Sequence, residues 1–346
     1  MLLVIGLPAH CALALNYTLF DPPGGTDTAV YGFSGGVAVG SYLDSSLNTH
    51  AFSYDGSSFA ILDPSDYSGY GVGLGVSGGS VVGVYSGPAA VLGFVHNGSG
   101  YTTLAPLGGN TAAVTNISVG GGMVAGTYND ASFNTHGFEY NGSFTTLDDP
   151  LAFNDTEIKA ASGTNVAGFY VDSLAVNHGL FFDGTHYTTL DPAGATYSQA
   201  LAVSGNEVAG VYQTSPGGDL LGFLWNSTSG FSGLQVPGAF LTQPLSISGN
   251  KVAGIYDTFA GQFGFIYDGT NFTTISPPNS TNVESLYIDG NTVAGFYSDV
   301  AENTHGFEAT LDGASLPLPT PAALALVGMV ATAVVCTYTK RSGGIA

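Results

Sequence analysis

Four short stretches place an acid, an amide and an imidazole close together. They are Asp44/Asn48/His50, Asp130/Asn134/His136, Asp172/Asn177/His178 and Asp299/Asn303/His305. A carboxylate beside an imidazole can help hold a divalent cation or order a polar ligand, and the imidazole can exchange a proton near neutral pH. One reading is therefore a polar or cation-assisted ligand face. The competing reading is structural: Asp and Asn tie the turn to its own backbone, and His caps the next strand. The structural reading takes precedence, because one binding site rarely uses the same residues in four separated places. The twelve residues stand as candidate binding residues; no catalytic residue, metal site or cofactor is assigned.

Other motifs resolve into turns. Gly73-Leu-Gly75-Val-Ser-Gly78 spells the dinucleotide fingerprint, which needs a strand-to-helix turn around a pyrophosphate. No helical pattern follows it. Gly32-Phe-Ser34-Gly-Gly36 and Gly75-Val-Ser77-Gly-Gly79 spell a nucleophile elbow, but both fall at the same turn of adjacent repeats. No HExxH, CxxC, EF-hand loop or P-loop is present.

The charge balance removes several partner classes. The formal net charge is -21, with only 4 Lys and Arg. Lys340 and Arg341 lie near the C-terminus, which leaves Lys159 and Lys251 for the body. Binding a polyphosphate by counterion release needs many cations, so nucleic acid is excluded as a partner. Both cysteines, Cys11 and Cys336, lie in terminal apolar segments, so the body has no disulfide and no thiolate chemistry. With 52 Gly, 12% aromatic and only 8% charged residues, the composition suits tightly packed β-structure.

The elements that must position these residues repeat about every 42 residues. The marker is two apolar residues, Gly, any residue and Tyr, ending at Tyr42, Tyr85, Tyr128, Tyr170, Tyr212, Tyr256 and Tyr297. The tyrosines read as packing between sheets rather than a sugar platform, and the Gly as a point of close backbone approach. Around this b-segment run an a-segment ending in Ser-Gly or Gly-Gly, a c-segment such as HAFSYDG, and a d-segment such as YTTLDP. Asp55-Gly56, Asn97-Gly98, Asn141-Gly142, Asp183-Gly184 and Asp268-Gly269 read as type I′ pairs between c and d; Gly205-Asn206, Gly249-Asn250 and Gly290-Asn291 do the same between a and b. Four antiparallel strands per repeat follow.

The last repeat stops after its c-segment, yet Tyr17-Thr18-Leu19-Phe20-Asp21-Pro22 is an orphan d-segment at the front. An N-terminal strand completing the last sheet would close a ring, whereas a linear solenoid would gain nothing from the permutation. The expected fold is all-β: a seven-bladed β-propeller of four-stranded blades over residues 16–311. It is flanked by a signal-like segment (1–15), a Pro-rich linker (312–321), a transmembrane or sorting helix (322–339) and a basic cytoplasmic tail (340–346).

The flanks read as addresses. Residues 2–15 are apolar and contain Ala12-Leu13-Ala14, a signal-peptidase pattern. Residues 322–339 are long enough to span roughly 27 Å as a helix and are followed by Lys340-Arg341. With Pro317, Pro319 and Pro321, the stretch LPLPTPAALALVG…TKR resembles the PEP-CTERM class of sorting signal in its VPLPA-like variant. The resemblance implies export from a bacterium, then cleavage and re-anchoring by an exosortase-like sorting enzyme. An ordinary membrane anchor through the C-terminal helix is the alternative. His50-Ala51-Phe52 and its counterparts resemble the HAF-type extracellular repeat, which implies an extracellular repeat protein and brings no catalytic residues.

The expectation is thus an exported protein at the cell surface or in the extracellular matrix, membrane-anchored at least transiently. It would act as a non-enzymatic binding or matrix module for extracellular polysaccharide or envelope proteins. The alternative is a carbohydrate-active propeller enzyme, a polysaccharide lyase or glycoside hydrolase, which needs two carboxylates gathered from different blades. Glu157, Glu207 and Glu284, which break the repeat, are its candidates.

Overall fold

The computed structural model describes residues 15–105 and 113–311. The signal-like segment up to residue 14, the linker with Pro317, Pro319 and Pro321, the apolar stretch 322–339 and Lys340-Arg341 lie outside the described residues. Among the described residues there is no helix, and so none long and apolar enough to cross a membrane.

The described strands form antiparallel units of four. In the first unit, Thr26–Ser34 pairs with Val37–Leu43, that strand with Thr49–Tyr54, and the last with Phe59–Ile61. The same a-b-c-d order recurs along the chain. Two neighbouring units join into one eight-stranded sheet through a single parallel bridge, Thr135↔Asp155. The a-strands form a closed circle: Thr26–Ser34, Gly71–Ser77, Ala113–Gly120, Asp155–Ser162, Tyr197–Ser204, Leu241–Ser248 and Asn282–Asp289 each touch the next, and the last touches the first.

Closure is made by the strand the sequence singles out. Asn16–Phe20 pairs antiparallel with Thr304–Thr310, from Asn16↔Thr310 to Phe20↔Gly306, and supplies the outer strand that the last unit lacks. Phe20 is buried and stacks on Tyr54 of the first unit at 4.4 Å between ring centres. The buried Ser285 hydroxyl donates to the Val30 carbonyl at 2.8 Å, joining the last a-strand to the first.

The core lies between successive sheets. Val39, Ala51 and Leu62 of the first unit pack on Val76, Tyr85 and Phe94 of the second. Each c-strand buries one large side chain in this way: Phe52, Phe94, Phe138, Phe223, Phe265 and Phe307, with Leu180 in the remaining unit. Full burial of such a side chain contributes about 1.5–3 kcal/mol. Of the repeated tyrosines, Tyr42, Tyr85, Tyr128, Tyr170, Tyr256 and Tyr297 are buried, as packing residues should be.

The repeated b-strand glycine has a specific cause. Every a-strand carries a bulge within two residues of the glycine's partner, for example between Ile158 and Ala160 beside Gly168. In each unit a backbone carbonyl of the a-strand lies over the glycine. A Cβ at Gly40, Gly83, Gly126, Gly168, Gly210, Gly254 or Gly295 would collide with the carbonyl oxygen of Ala29, Val72, Asn116, Glu157, Gln199, Gln243 or Ser285 respectively. Only a residue without Cβ fits beneath it.

The turns depart from the expected pairs. A type I′ loop needs two residues at positive φ, but between c and d only Gly56, Gly98, Gly142, Gly184 and Gly269 adopt it. The Asp or Asn stands before the turn and accepts its N–H groups: Asp55 Oδ1 accepts from Ser57 at 2.9 Å and Ser58 at 2.8 Å. Between a and b, Gly205, Gly249 and Gly290 are positive while the following Asn is not; Gly35-Gly36 and Gly78-Gly79 are positive at both positions. Ser34 and Ser77 simply flank these double-glycine turns, and the strand holding Gly73 and Gly75 leads into another strand.

Candidate functional site

The b–c loops hold the repeated polar residues at one rim. In the first, Asp44 Oδ1 accepts the N–H groups of Ser46 at 2.8 Å and Asn48 at 2.9 Å, and Asn48 Nδ2 donates to Asp44 Oδ2 at 3.1 Å. Asp130 and Asn134 repeat this arrangement, with the Asn134 N–H at 2.9 Å and its Nδ2 at 3.0 Å. The loops bend at a residue of positive φ, namely Leu47, Phe133, Ala175 and Glu302.

The asparagines of the other two loops differ from these in exposure or in position. Asn303 is exposed, whereas Asn48 and Asn134 are half-buried. Its N–H donates to Asp299 Oδ1 at 3.0 Å, its carbonyl accepts the Asp299 N–H at 3.0 Å, and its Nδ2 reaches Asp299 Oδ2 at 3.4 Å. Asn303 thus closes its own loop with the same three bonds to the aspartate that Asn48 and Asn134 make. Asn177 departs differently. The place of Asn48 is taken by Val176, whose N–H donates to Asp172 Oδ1 at 2.9 Å, while Asn177 opens the c-strand opposite Val171.

Each histidine is clamped between two aspartates, one of which the sequence reading leaves out. His50 Nδ1 lies 2.6 Å from Asp63 Oδ2 and its Nε2 lies 3.2 Å from Asp44 Oδ2. His136 sits between Asp148 (2.8 Å) and Asp130 (3.5 Å), and His178 between Asp191 (2.7 Å) and Asp172 (3.4 Å). His305 sits between Asp21 (2.8 Å) and Asp299 (3.5 Å). The added partners come from the ends of d-segments, so every clamp ties a b–c loop to a d–a turn. The co-occurrence is visible in the sequence. Units with the histidine end d in Asp21-Pro22, Asp63-Pro64, Asp148-Asp149-Pro150 or Asp191-Pro192; the others have Ala105-Pro106, Gln235-Val236-Pro237 or Ser276-Pro277.

The repeated tyrosine completes the clamp from the neighbouring strand. Tyr42, Tyr128 and Tyr170 stack on His50, His136 and His178 at 5.3, 5.2 and 5.1 Å, and Tyr297 meets His305 at 5.5 Å. His50 is covered on its other face by Tyr67, whose pKa burial pushes up to about 12. Burial disfavours the imidazolium, but the hydrogen bonds and charges of the two aspartates outweigh it and raise the pKa of all four histidines. The Asn48 N–H, the Asn134 carboxamide and the Val176 N–H do most to lower Asp44, Asp130 and Asp172. At Asp299 burial acts upward, but the hydrogen bonds of its loop outweigh it and the pKa is lowered as well. With both ring nitrogens occupied by carboxylates, these histidines hold the rim together. Among the described residues, no group of three or more His, Cys, Asp or Glu could hold a metal ion.

One clamp brings Ser, Asp and His into a chain, in an order that does not activate the hydroxyl. Ser198 Oγ donates to Asp191 Oδ1 at 2.5 Å, and Asp191 Oδ2 holds His178. A nucleophile needs the imidazole next to the hydroxyl, whereas here the carboxylate stands between them and Ser198 is fully buried. Glu157, Glu207 and Glu284 are each bonded within their own unit, to Lys159, Asn226 and Ser298.

The a-strands enclose a central cavity of about 460 Å³, within the range of ligand sites. Its wall includes Tyr31, Leu74, Asn116, Lys159, Leu201, Ser246 and Tyr287, taken from all seven a-strands. Lys159, the extra residue of its bulge, pairs with Glu157 at 2.6 Å and lies 5.4 Å from the Phe169 ring centre.

No protein-family model matches the chain, and no curated protein matches it in sequence. Solved structures do share the fold. A Mycobacterium tuberculosis puromycin-hydrolyzing peptidase superposes with TM-score 0.63 at 11% identity, over 85% of this chain and 54% of that one. The β-propeller domain of the Trilobed protease from Pyrococcus furiosus gives 0.58 at 8%, over 83% and 96%. Pyrococcus horikoshii acylaminoacyl peptidase gives 0.57 at 9%, over 88% and 54%. The fold is that of a β-propeller, and the chain spans about half the length of the two whole peptidases. The likeness is one of fold, but it corrects the expectation of a non-enzymatic binding or matrix module. That expectation rested on a repeat scaffold without catalytic motifs, and the matched structures show this same scaffold as a domain of peptidases.

Proposed function

We propose that the chain is a seven-bladed propeller serving a peptide-hydrolysing enzyme. The ring admits substrate through its central cavity, and the catalytic groups are supplied by a partner chain or domain. The observation that carries this reading is the cavity itself: about 460 Å³, walled by every a-strand. The fold shared with peptidase propellers supports it. The terminal segments fit an exported form of such an enzyme, held at the cell surface by a C-terminal sorting helix in a HAF-type protein.

The test uses the assembly isolated intact from its host, assayed with internally quenched peptides of graded length. Hydrolysis should fall as the peptides lengthen and fold, and Ser246→Trp, which narrows the cavity, should slow cleavage of every peptide. An assembly that cleaves none of the panel, or a Ser246→Trp form that is folded and cleaves at the native rate, overturns the proposal.

A further inference from the structure

The two rims of the ring are made of different residues. At one, the a–b and c–d turns contain only Gly, Asn, Asp, Ser, Thr and one His. At the other, the b–c loops hold large apolar side chains in water. Leu47, Phe133, Leu174, Phe259 and Val300, each from a different unit, are 78% to 102% exposed. One d–a turn of the same rim adds Leu151 and Phe153. Among the described residues, no large apolar side chain away from this rim is more than 58% exposed.

Apolar side chains scattered singly over a surface are ordinary, but seven gathered on one face mark a docking surface. Leu47 and Phe133 also stand at φ 64° and 65°, where residues with a Cβ are uncommon. Gly or Asn would suit both the backbone and the water better, so the fold itself does not account for the apolar bulk.

Charge selects what covers this rim. No Lys or Arg occurs in the sequence of any b–c loop or d–a turn, while Asp66, Asp219 and Glu302 stand exposed in them. A second copy would bring an identical acidic rim against this one, on a chain of formal net charge -21. An anionic bilayer would be repelled in the same way. An apolar ligand that carries positive charge meets no such opposition. The a-strands that wall the central cavity all start at this rim, so a ligand held on the loop tips lies at the mouth of the ring.

We propose that this rim captures cationic amphipathic peptides. Their apolar side chains seat among the loop tips, and their lysine or arginine side chains meet the exposed carboxylates. This names the substrate class of the peptide-hydrolysing assembly and rests on that reading, but binding is measured without turnover, so either idea can fail alone.

The experiment is fluorescence anisotropy of the full-length protein with three dye-labelled peptides of equal length, built from leucine and lysine, serine and lysine, or leucine and glutamate. The leucine–lysine peptide should bind about tenfold more tightly than either of the others. Leu47→Ser, Phe133→Ser and Leu174→Ser combined should remove that advantage while leaving the urea midpoint nearly unchanged. Asp66→Asn, Asp219→Asn and Glu302→Gln combined should weaken the same peptide by about fivefold. Ile61→Ser, which removes an exposed apolar side chain from an outer strand, should leave its binding unchanged. The proposal is overturned if the serine–lysine peptide binds as tightly, which makes the attraction one of charge alone, or if the folded triple serine variant keeps the native affinity. It is equally overturned if that variant abolishes a dimer seen by sedimentation, or flotation with phosphatidylcholine vesicles, while the protein shows no preference among the peptides. The rim then serves a second copy or a bilayer.

Discussion

Replacing Gly168 by alanine tests the physical reason for the repeated glycine. The added Cβ would overlap the Glu157 carbonyl oxygen and lie 2.9 Å from its carbon and 3.0 Å from Ile158 Cα. The obstacle is backbone on a bulge, held by pairing on one side and by the next sheet on the other, so it has little freedom to yield. Overpacking a tight site costs typically 1–3 kcal/mol, and a backbone collision belongs at the upper end, about 3 kcal/mol. On a domain of this size that lowers the melting midpoint by roughly 5–10 °C. Gly233 is the control. Nothing lies within 4 Å of its hypothetical Cβ, so Gly233→Ala should leave stability unchanged or raise it by about 0.4–1 kcal/mol through the unfolded chain. Thermal and urea unfolding of both variants beside the native protein measures the contrast. If Gly168→Ala unfolds at the native midpoint, or drops no further than Gly233→Ala, the account of the bulge is wrong.

The remaining predictions concern closure and the rim. Phe20→Ala should destabilise by about 3–5 kcal/mol, because a buried aromatic at the ring's seam is lost, whereas Phe259→Ala should stay within about 0.5 kcal/mol; urea midpoints separate them. The clamps should make stability depend on pH from both sides. A histidine raised by its partners stabilises fully below about pH 6.5 and loses that contribution as pH climbs through its folded value, while a lowered aspartate stabilises above about pH 4 and loses it as pH falls. Melting temperature should therefore peak between those limits and decline as the pH climbs through the raised histidine values. The quadruple variant His50→Gln, His136→Gln, His178→Gln, His305→Gln should show a flatter alkaline limb, and an unchanged limb would mean that the clamps carry no linkage.

Much of the architecture could be read from the repeat. Tyr17 to Pro22 declare themselves as an outer strand because they match YTTLDP elsewhere, and their partner strand had to be Thr304–Thr310. The clamp was half legible. Asp44 and His50 share one segment and are seen at once, but Asp63 lies thirteen residues on, and only the joint presence of His and Asp-Pro in the same units reveals it. Asn177 was misaligned because Val176 does the same work with its backbone, which a side-chain motif cannot register.

The seam between Asn16–Phe20 and Thr304–Thr310 also sets a timetable. Asn16–Phe20 must wait for its partner until the roughly 290 residues between them have been made, about 15–60 s at ordinary elongation rates. During that interval every earlier c-strand offers it an edge resembling its own partner's, and each is claimed only once its own d-segment emerges. Nascent molecules are therefore most exposed to strand exchange between neighbours early in translation, and slow elongation should raise the yield of interlocked dimers.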